Sequence, residues 1–377
     1  MASARSTAAP VPMRTQLTRS AMALALACAS AAACDRAAIS DGGRDTTAST
    51  PVSTPPVTLT GAGATFPYPL YSRWISAYLQ QTGVQINYRM VGSHSGAREL
   101  EQGRIDFATT ESPTDGPAPP SPAARIAHIP NVLGAVVLAY NIPGLSAPLA
   151  LSGETVADIY LGRITRWDDT RIGAPNPGAR LPDAAIVVVH RADGSGTTAV
   201  FTEFLSETSR AWRQGPGQGI TVRWPVGVNA TGSEGVAGEV KQTPGAIGYV
   251  ELTYAKQSRL PFSAVRNADG AFVLPTAEAV AAAASNRARS SGAATDATIS
   301  LVNAPGRGSY PLASFSWFLI DTRPADAARA RALLAFLRWT LHDGQRFAPA
   351  LDYVPLPSEL VARLDGRLDS LAIAIAR

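Results

Sequence analysis

Cysteine is nearly absent: Cys28 and Cys34 are the only two in 377 residues, and both lie in or beside an apolar N-terminal run. The rest of the chain can therefore form no disulfide and no cysteine-bound metal site, so its stability has to come from packing. Histidine is almost as scarce. The four histidines, His94, His128, His190 and His342, stand singly, without the paired spacing of metal ligands, and read as structural residues. Only 16% of residues are charged, no internal repeat is evident, and no segment reaches the roughly 18 uncharged apolar residues that a membrane-spanning helix needs. Catalytic signatures are missing too. No G-x-S-x-G elbow surrounds Ser93, Ser95 or Ser195, no cluster of Asp and His offers a catalytic metal site, and no G-K-[ST] or dinucleotide spacing marks a nucleotide loop. These absences point away from an enzyme and imply no cofactor and no metal.

What is present begins with size: 46% hydrophobic residues over this length are enough for two ordinary cores or one large one. The formal charge is +4, from 33 basic and 29 acidic side chains. Three of the arginines, Arg5, Arg14 and Arg19, sit in residues 1–34 with no acid or lysine beside them, so the remainder carries 30 against 29, a net of +1. A nearly neutral body argues against nucleic acid or an anionic lipid surface as a partner.

Arg14 and Arg19 precede an apolar run from Ala21 to Ala33 that ends at Cys34, the pattern of an export signal over residues 1–34. Small residues before Cys34 also resemble a lipoprotein processing site, with Ala31 where leucine is usual. Simple cleavage and lipid attachment at Cys34 both remain open. Residues 35–56 are polar and rich in Ser, Thr and Pro, the composition of a tether. At about 5 to 6 Å times the square root of its length, such a linker reaches on the order of 25 Å. The expected location is periplasmic, either free or anchored through Cys34.

From residue 57 short β-branched runs alternate with helical patterns, which predicts βαβ units and a largely parallel sheet flanked by helices. Helices are expected near 69–81, 96–102, 153–160, 197–206, 276–285 and 325–342, and the apolar run VLGAVVLAYNI reads as a strand buried on both faces. Three turns rich in glycine and hydroxyl residues fall at strand-to-helix junctions: TGAGATFP (60–67), VGSHSG (91–96) and RADGSGTT (191–198). A helix N-terminus presents unpaired N–H groups and a partial positive charge, and small residues let an anion approach them. Three such turns, one with an arginine beside it, indicate an anion site at the strand ends. Trp74, Trp167, Trp224 and Trp339 read as core, Asp106 as a structural strand-end residue, Asp168 and Asp169 as a solvated turn, and His94 as turned outward from the second loop.

The segments TGAGATFPYPLYSRW, YRMVGSHSG, IDFATTESP, VLAYNIPG, DIYLGRITRWDD, RADGSGTTAVFTEFL, PGAIGYVEL and LDYVPLP resemble, in order, the PstS family of phosphate-binding proteins. The resemblance runs from about residue 57 almost to the C-terminus. It implies an α/β chain of the type II periplasmic-binding-protein fold, two lobes joined by two crossover strands, with residues 57–140 and 312–377 in lobe I and 141–311 in lobe II. It further implies inorganic phosphate as ligand, an inner-membrane permease and ATPase complex as partner, and a monomer. By the same resemblance the phosphate contacts fall on Thr65, Phe66, Ser93, Arg191, Ser195, Gly196 and Thr197, with Asp193 orienting Arg191 from behind. Glu111 stands where the family typically has aspartate, the acceptor for the protonated oxygen of phosphate. The added methylene means that either the loop retreats or the contact weakens; Asp115 is the lesser candidate acceptor. Sulfate, arsenate or an organic phosphate on the same fold, or a phosphate-binding surface protein with weak phosphatase activity, are the alternatives that the residues leave open.

Overall fold

The computed structural model describes residues 57–112, 125–145, 148–291 and 299–375; the leader at 1–34, the tether at 35–56 and Asp115 lie outside the described residues. In chain order the first elements are β1 (Thr58–Gly63), α1 (Tyr68–Thr82), β2 (Gln85–Met90), α2 (Ser93–Glu101), β3 (Phe107–Thr110) and β4 (Ile126–Tyr140). There follow β5 (Ala150–Leu151), α3 (Gly153–Tyr160), α4 (Thr170–Gly173), β6 (Val187–Arg191), α5 (Gly196–Thr208), α6 (Arg210–Gln214), β7 (Val228–Ala230), α7 (Gly232–Gln242) and β8 (Ala246–Glu251). The chain ends with α8 (Leu252–Gln257), β9 (Ala264–Arg266), β10 (Phe272–Val273), α9 (Ala277–Ser291), β11 (Ala313–Asp321), α10 (Ala327–Leu341) and α11 (Ser358–Ile375). Helix α2 starts three residues earlier than the sequence pattern predicts, which brings Ser93 into its first turn.

Strands line up as β2-β1-β3-β11-β4-β8-β6-β7, with β10-β9-β5 as a small separate sheet. Parallel pairing joins β1 to β2 and β3, and β6 to β7 and β8, as the βαβ pattern predicts. The centre departs from the largely parallel expectation. There β11 runs antiparallel to β3 and β4, and β4 antiparallel to β8, pairings that need no crossover helix and so leave no alternating signature in the sequence.

Strand β4 is the spine of the molecule. All fifteen of its residues are buried; Ile126–Ala135 pair with β11 and Val136–Tyr140 with β8, so one strand belongs to both halves of the sheet. It begins six residues before the predicted apolar run and has Pro130 inside it. The structure absorbs that proline with a bulge: Trp317 faces Pro130 and Ser316 faces Val132, leaving Asn131 outside the ladder. The freed Asn131 donates from Nδ2 to the Tyr71 hydroxyl at 2.8 Å, and its carbonyl accepts from Gln345 Nε2 at 2.9 Å. The bulge thus becomes a clamp on α1.

Each half has an aromatic centre. On one side Tyr71 stacks on Trp74 and Phe318 at 5.4 and 5.2 Å; on the other Tyr249 stacks on Phe201 at 4.3 Å and Trp224 on His190 at 4.7 Å. Trp74, Trp167 and Trp339 are buried, while Trp224 is only partly so. Asp106 accepts from the backbone and hydroxyl of Thr60 and pairs with Arg329, a strand-end clasp as expected. Among the described residues no helix is long and apolar enough to cross a membrane, and no group of three potential metal ligands occurs.

Helix α2 packs on β1 at a distance that only glycine permits: a Cβ on Gly96 would lie 2.5 Å from the Ala62 carbonyl oxygen. A backbone atom cannot rotate away as a side chain can. Gly96→Ala is therefore expected to lever α2 outward and cost about 1–3 kcal/mol, measured as a lower denaturant midpoint with an unchanged slope; an unshifted midpoint would show that the helix relaxes freely.

Candidate functional site

All the turns singled out in the sequence lie at the C-terminal ends of parallel strands, where open α/β sheets bind ligands. After β1, the chain is pinned from behind. Ala64 N–H donates to the Thr109 carbonyl and hydroxyl at 3.2 and 3.0 Å, while the carbonyls of Thr65 and Phe66 accept from the Tyr254 and Tyr353 hydroxyls at 2.7 and 2.6 Å. Thr65 and Phe66 are both buried. Two tyrosines thus fix the peptide planes of this loop.

After β6, Arg191 and Asp193 form a bidentate pair: Nε donates to Oδ1 at 2.7 Å and a terminal guanidinium nitrogen donates to Oδ2. The Arg191 side chain is 2% exposed. Burial opposes its charge, but the Asp193 bond together with the attraction of Asp193 and its other neighbours holds its pKa above the ordinary value. Burial likewise works against the Asp193 carboxylate, and Arg191 more than offsets it, holding Asp193 below the usual carboxylate range. With Nε and one N–H committed, the remaining guanidinium donors are available to a ligand. The Arg191 backbone N–H donates to the Tyr249 hydroxyl at 3.1 Å, and that hydroxyl also bonds Thr198 Oγ1 at 2.7 Å. Tyr249 therefore ties the end of β6 to the first turn of α5.

Helix α5 opens on a serine cap, Ser195 Oγ accepting from the Thr198 N–H at 3.3 Å. Gly196 N–H donates to Ser93 Oγ at 3.1 Å, bringing α2 and α5 end to end, and His94 N–H donates to the Gly194 carbonyl at 3.2 Å. The His94 side chain is exposed, as its sequence neighbours suggest. Thr197 Oγ1 is buried and has no hydrogen-bond partner among the described residues, an open polar group beside the α5 N-terminus.

Glu111 follows β3 and is 3% exposed. A Cβ on Gly196 would fall 2.7 Å from its Oε2, so the carboxyl reaches across to the start of α5. Its other oxygen accepts from Ser316 Oγ at 3.4 Å. Burial pushes its pKa up to about 8, with Arg191 and Ser316 pulling partly the other way. The carboxyl is therefore buried against the start of α5 and not turned out to solvent.

The sequence-predicted residues Thr65, Phe66, Ser93, Glu111, Arg191, Asp193, Ser195, Gly196 and Thr197 therefore occupy one buried locus. Sequence reasoning missed the start of α7. Gly232 N–H donates to Asp193 Oδ1 at 3.1 Å, and Ser233 bonds Thr65 through both its N–H and its hydroxyl, at 3.0 and 2.9 Å. The segment NATGSEG (229–235) carries the same glycine and hydroxyl signature as the other three turns, but its strand β7 is three residues long and mostly exposed, so no strand pattern announces the junction.

A buried arginine set near the N-termini of α5 and α7 can offer charge-assisted and backbone donors to an anion. Residues 45–343 match the PBP superfamily domain. The phosphate-binding protein PstS of Xylella fastidiosa is 41% identical over 328 residues, covering 87% of this chain and 89% of its own length. The PstS of Pasteurella multocida is 40% identical over 311 residues, with coverage of 82% and 89%.

The chain belongs to the PstS family of phosphate-binding proteins. Its type II periplasmic-binding-protein fold follows from that membership and from likeness to solved structures. The phosphate-binding protein of Stenotrophomonas maltophilia superposes with a TM-score of 0.61 at 18% identity, covering 82% of this chain and 94% of that one. The family is one of transport substrate-binding proteins.

Glu111 gives the PstS site a pH signature. Unfolded, its carboxyl ionises near 4.5; folded, near 8. Between those values the folded chain keeps a proton that the unfolded chain has released, so stability falls as pH rises through this window and levels off above it. Glu251, buried with the same displacement to about 8, acts in the same direction. Glu111→Gln is expected to flatten part of the decline in denaturation midpoint between pH 5 and pH 8. A slope as steep as that of the parent would remove Glu111 from the account.

Proposed function

We propose that the chain captures inorganic phosphate between its two lobes and delivers it to an ABC-type import permease. The observation that carries this reading is the buried Arg191–Asp193 pair set among the N-termini of α2, α5 and α7. Lobe I takes residues 57–140 and 312–377 and lobe II takes 141–311, with the crossover on β4 and on the segment leading into β11. Direct ligand contacts fall to Thr65, Phe66, Ser93, Glu111, Arg191, Ser195, Gly196 and Thr197, and Asp193 holds Arg191 in register.

Because Asp193 already balances Arg191, the pair brings little net charge to a dianion. Most of the stabilisation then comes from oriented N–H and O–H dipoles in a site from which closure expels water, where each counts for more than in bulk solvent. This arrangement distinguishes ligand oxygens by what they offer. Donors surround the unprotonated oxygens, and Glu111 meets the protonated one. Sulfate brings no proton, so Glu111, once ionised above its pKa of about 8, would face it unpaired. The relatives named as phosphate-binding PstS proteins support phosphate as the cargo over sulfate or an organic phosphate. The permease and ATPase complex is the partner, the chain acts as a monomer without catalysis, and its place is the periplasm, either free or anchored through Cys34.

Two measurements test the reading. Calorimetric titration of the ligand-stripped chain should show tight phosphate binding, and Arg191→Lys, which keeps the charge but loses the fork, should weaken it on the order of 100-fold with the far-ultraviolet spectrum unchanged. Equal affinity in the variant would displace Arg191 from the site. Preference for phosphate over sulfate should sharpen from pH 6.5 to pH 9 as Glu111 passes from donor to acceptor about its pKa of about 8, and a preference flat with pH would remove Glu111 from ligand contact.

A further inference from the structure

We infer that Ser233 is a positioning residue for the anion site: bonded to Thr65 from the first turn of α7, it holds the Thr65 hydroxyl as a donor to an unprotonated ligand oxygen and secures the closed arrangement. The inference rests on the phosphate-capture reading and extends it to a residue outside the family resemblance.

The argument begins with valence. A hydroxyl has one hydrogen and two lone pairs. Ser233 N–H can only donate, and at 3.0 Å it fills one lone pair of Thr65 Oγ1. Ser233 Oγ lies 2.9 Å from the same oxygen, and either hydroxyl can donate in that contact. If Ser233 donates, both lone pairs of Thr65 are filled and its hydrogen has to point elsewhere. If Thr65 donates, its hydrogen is consumed and it offers a ligand only a crowded lone pair. An unprotonated anion oxygen selects the first arrangement, giving a directed chain from Ser233 O–H through Thr65 O–H to the ligand. The protonated oxygen of the ligand, unable to accept as well at Thr65, is left for Glu111.

Position strengthens the case. Ser233 and Thr65 are both almost fully buried, at 1% and 2% exposure, and 168 residues apart in sequence. Thr65 follows β1 in one half of the sheet; α7 packs mainly on β6 and β8 in the other. The Gly232 N–H beside Ser233 donates to Asp193, so one helical turn touches the arginine's carboxylate on one side and the opposite lobe on the other. A contact of this kind exists only when the halves are together. Its loss should therefore speed ligand release and leave ligand entry untouched.

The test is stopped-flow phosphate binding by the full chain and its variants. In Ser233→Ala the association rate is expected to stay at the parent value and the dissociation rate to rise about three- to tenfold, with the melting temperature of the ligand-free chain unchanged. Ser233→Thr, which keeps the hydroxyl, should dissociate within about twofold of the parent, and it carries the test should the alanine variant fail to fold. A dissociation rate unchanged in Ser233→Ala, or equal losses in the alanine and threonine variants, overturns the inference while leaving phosphate capture standing. A parent chain that binds no phosphate overturns both.

Discussion

The buried guanidinium of Arg191 is the group around which the rest is arranged. A charge at 2% exposure is sustainable only if its donors are met, and the answer begins two residues away with Asp193. That carboxylate in turn needs more than one partner, and takes the Gly232 N–H of α7. Tyr249 holds the Arg191 backbone and the first turn of α5 with one oxygen. The pair thus recruits two helix N-termini before any ligand is considered. Replacing either member alone would strand the other in a dry interior, which couples the composition of the site to the integrity of the second half of the sheet.

Around the candidate site the two halves of the sheet are joined by backbone and hydroxyl groups. Thr65 with Ser233 is a double polar contact, and Ser93 with Gly196 and His94 with Gly194 are single ones. Such contacts are directional and individually modest, suited to an interface that has to form and part repeatedly.

Much of this was legible in the sequence. The three glycine and hydroxyl turns pointed to the right strand ends because the chemistry of a helix N-terminus is local, written in four or five consecutive residues. Arg191, Asp193 and Ser195 fall within a single turn and could be read together. The α7 turn was not legible, since β7 is short and exposed and offers no alternation. The reach of Glu111 to α5 depends on two strands and a helix from different parts of the chain, and nothing in E-S-P records it. The antiparallel centre was hidden for the same reason. The bulge that tolerates Pro130 inside β4 is formed with Ser316 and Trp317, nearly two hundred residues later.

That late partner has a consequence for how the molecule is made. Strand β11 lies between β3 and β4, so the first half of the sheet has a gap at its centre until residues 313–321 have left the ribosome. Until then β3 and β4 have no neighbour on their facing edges, and the loop that must close to supply one spans most of the protein. A growing chain therefore cannot commit to its final topology early.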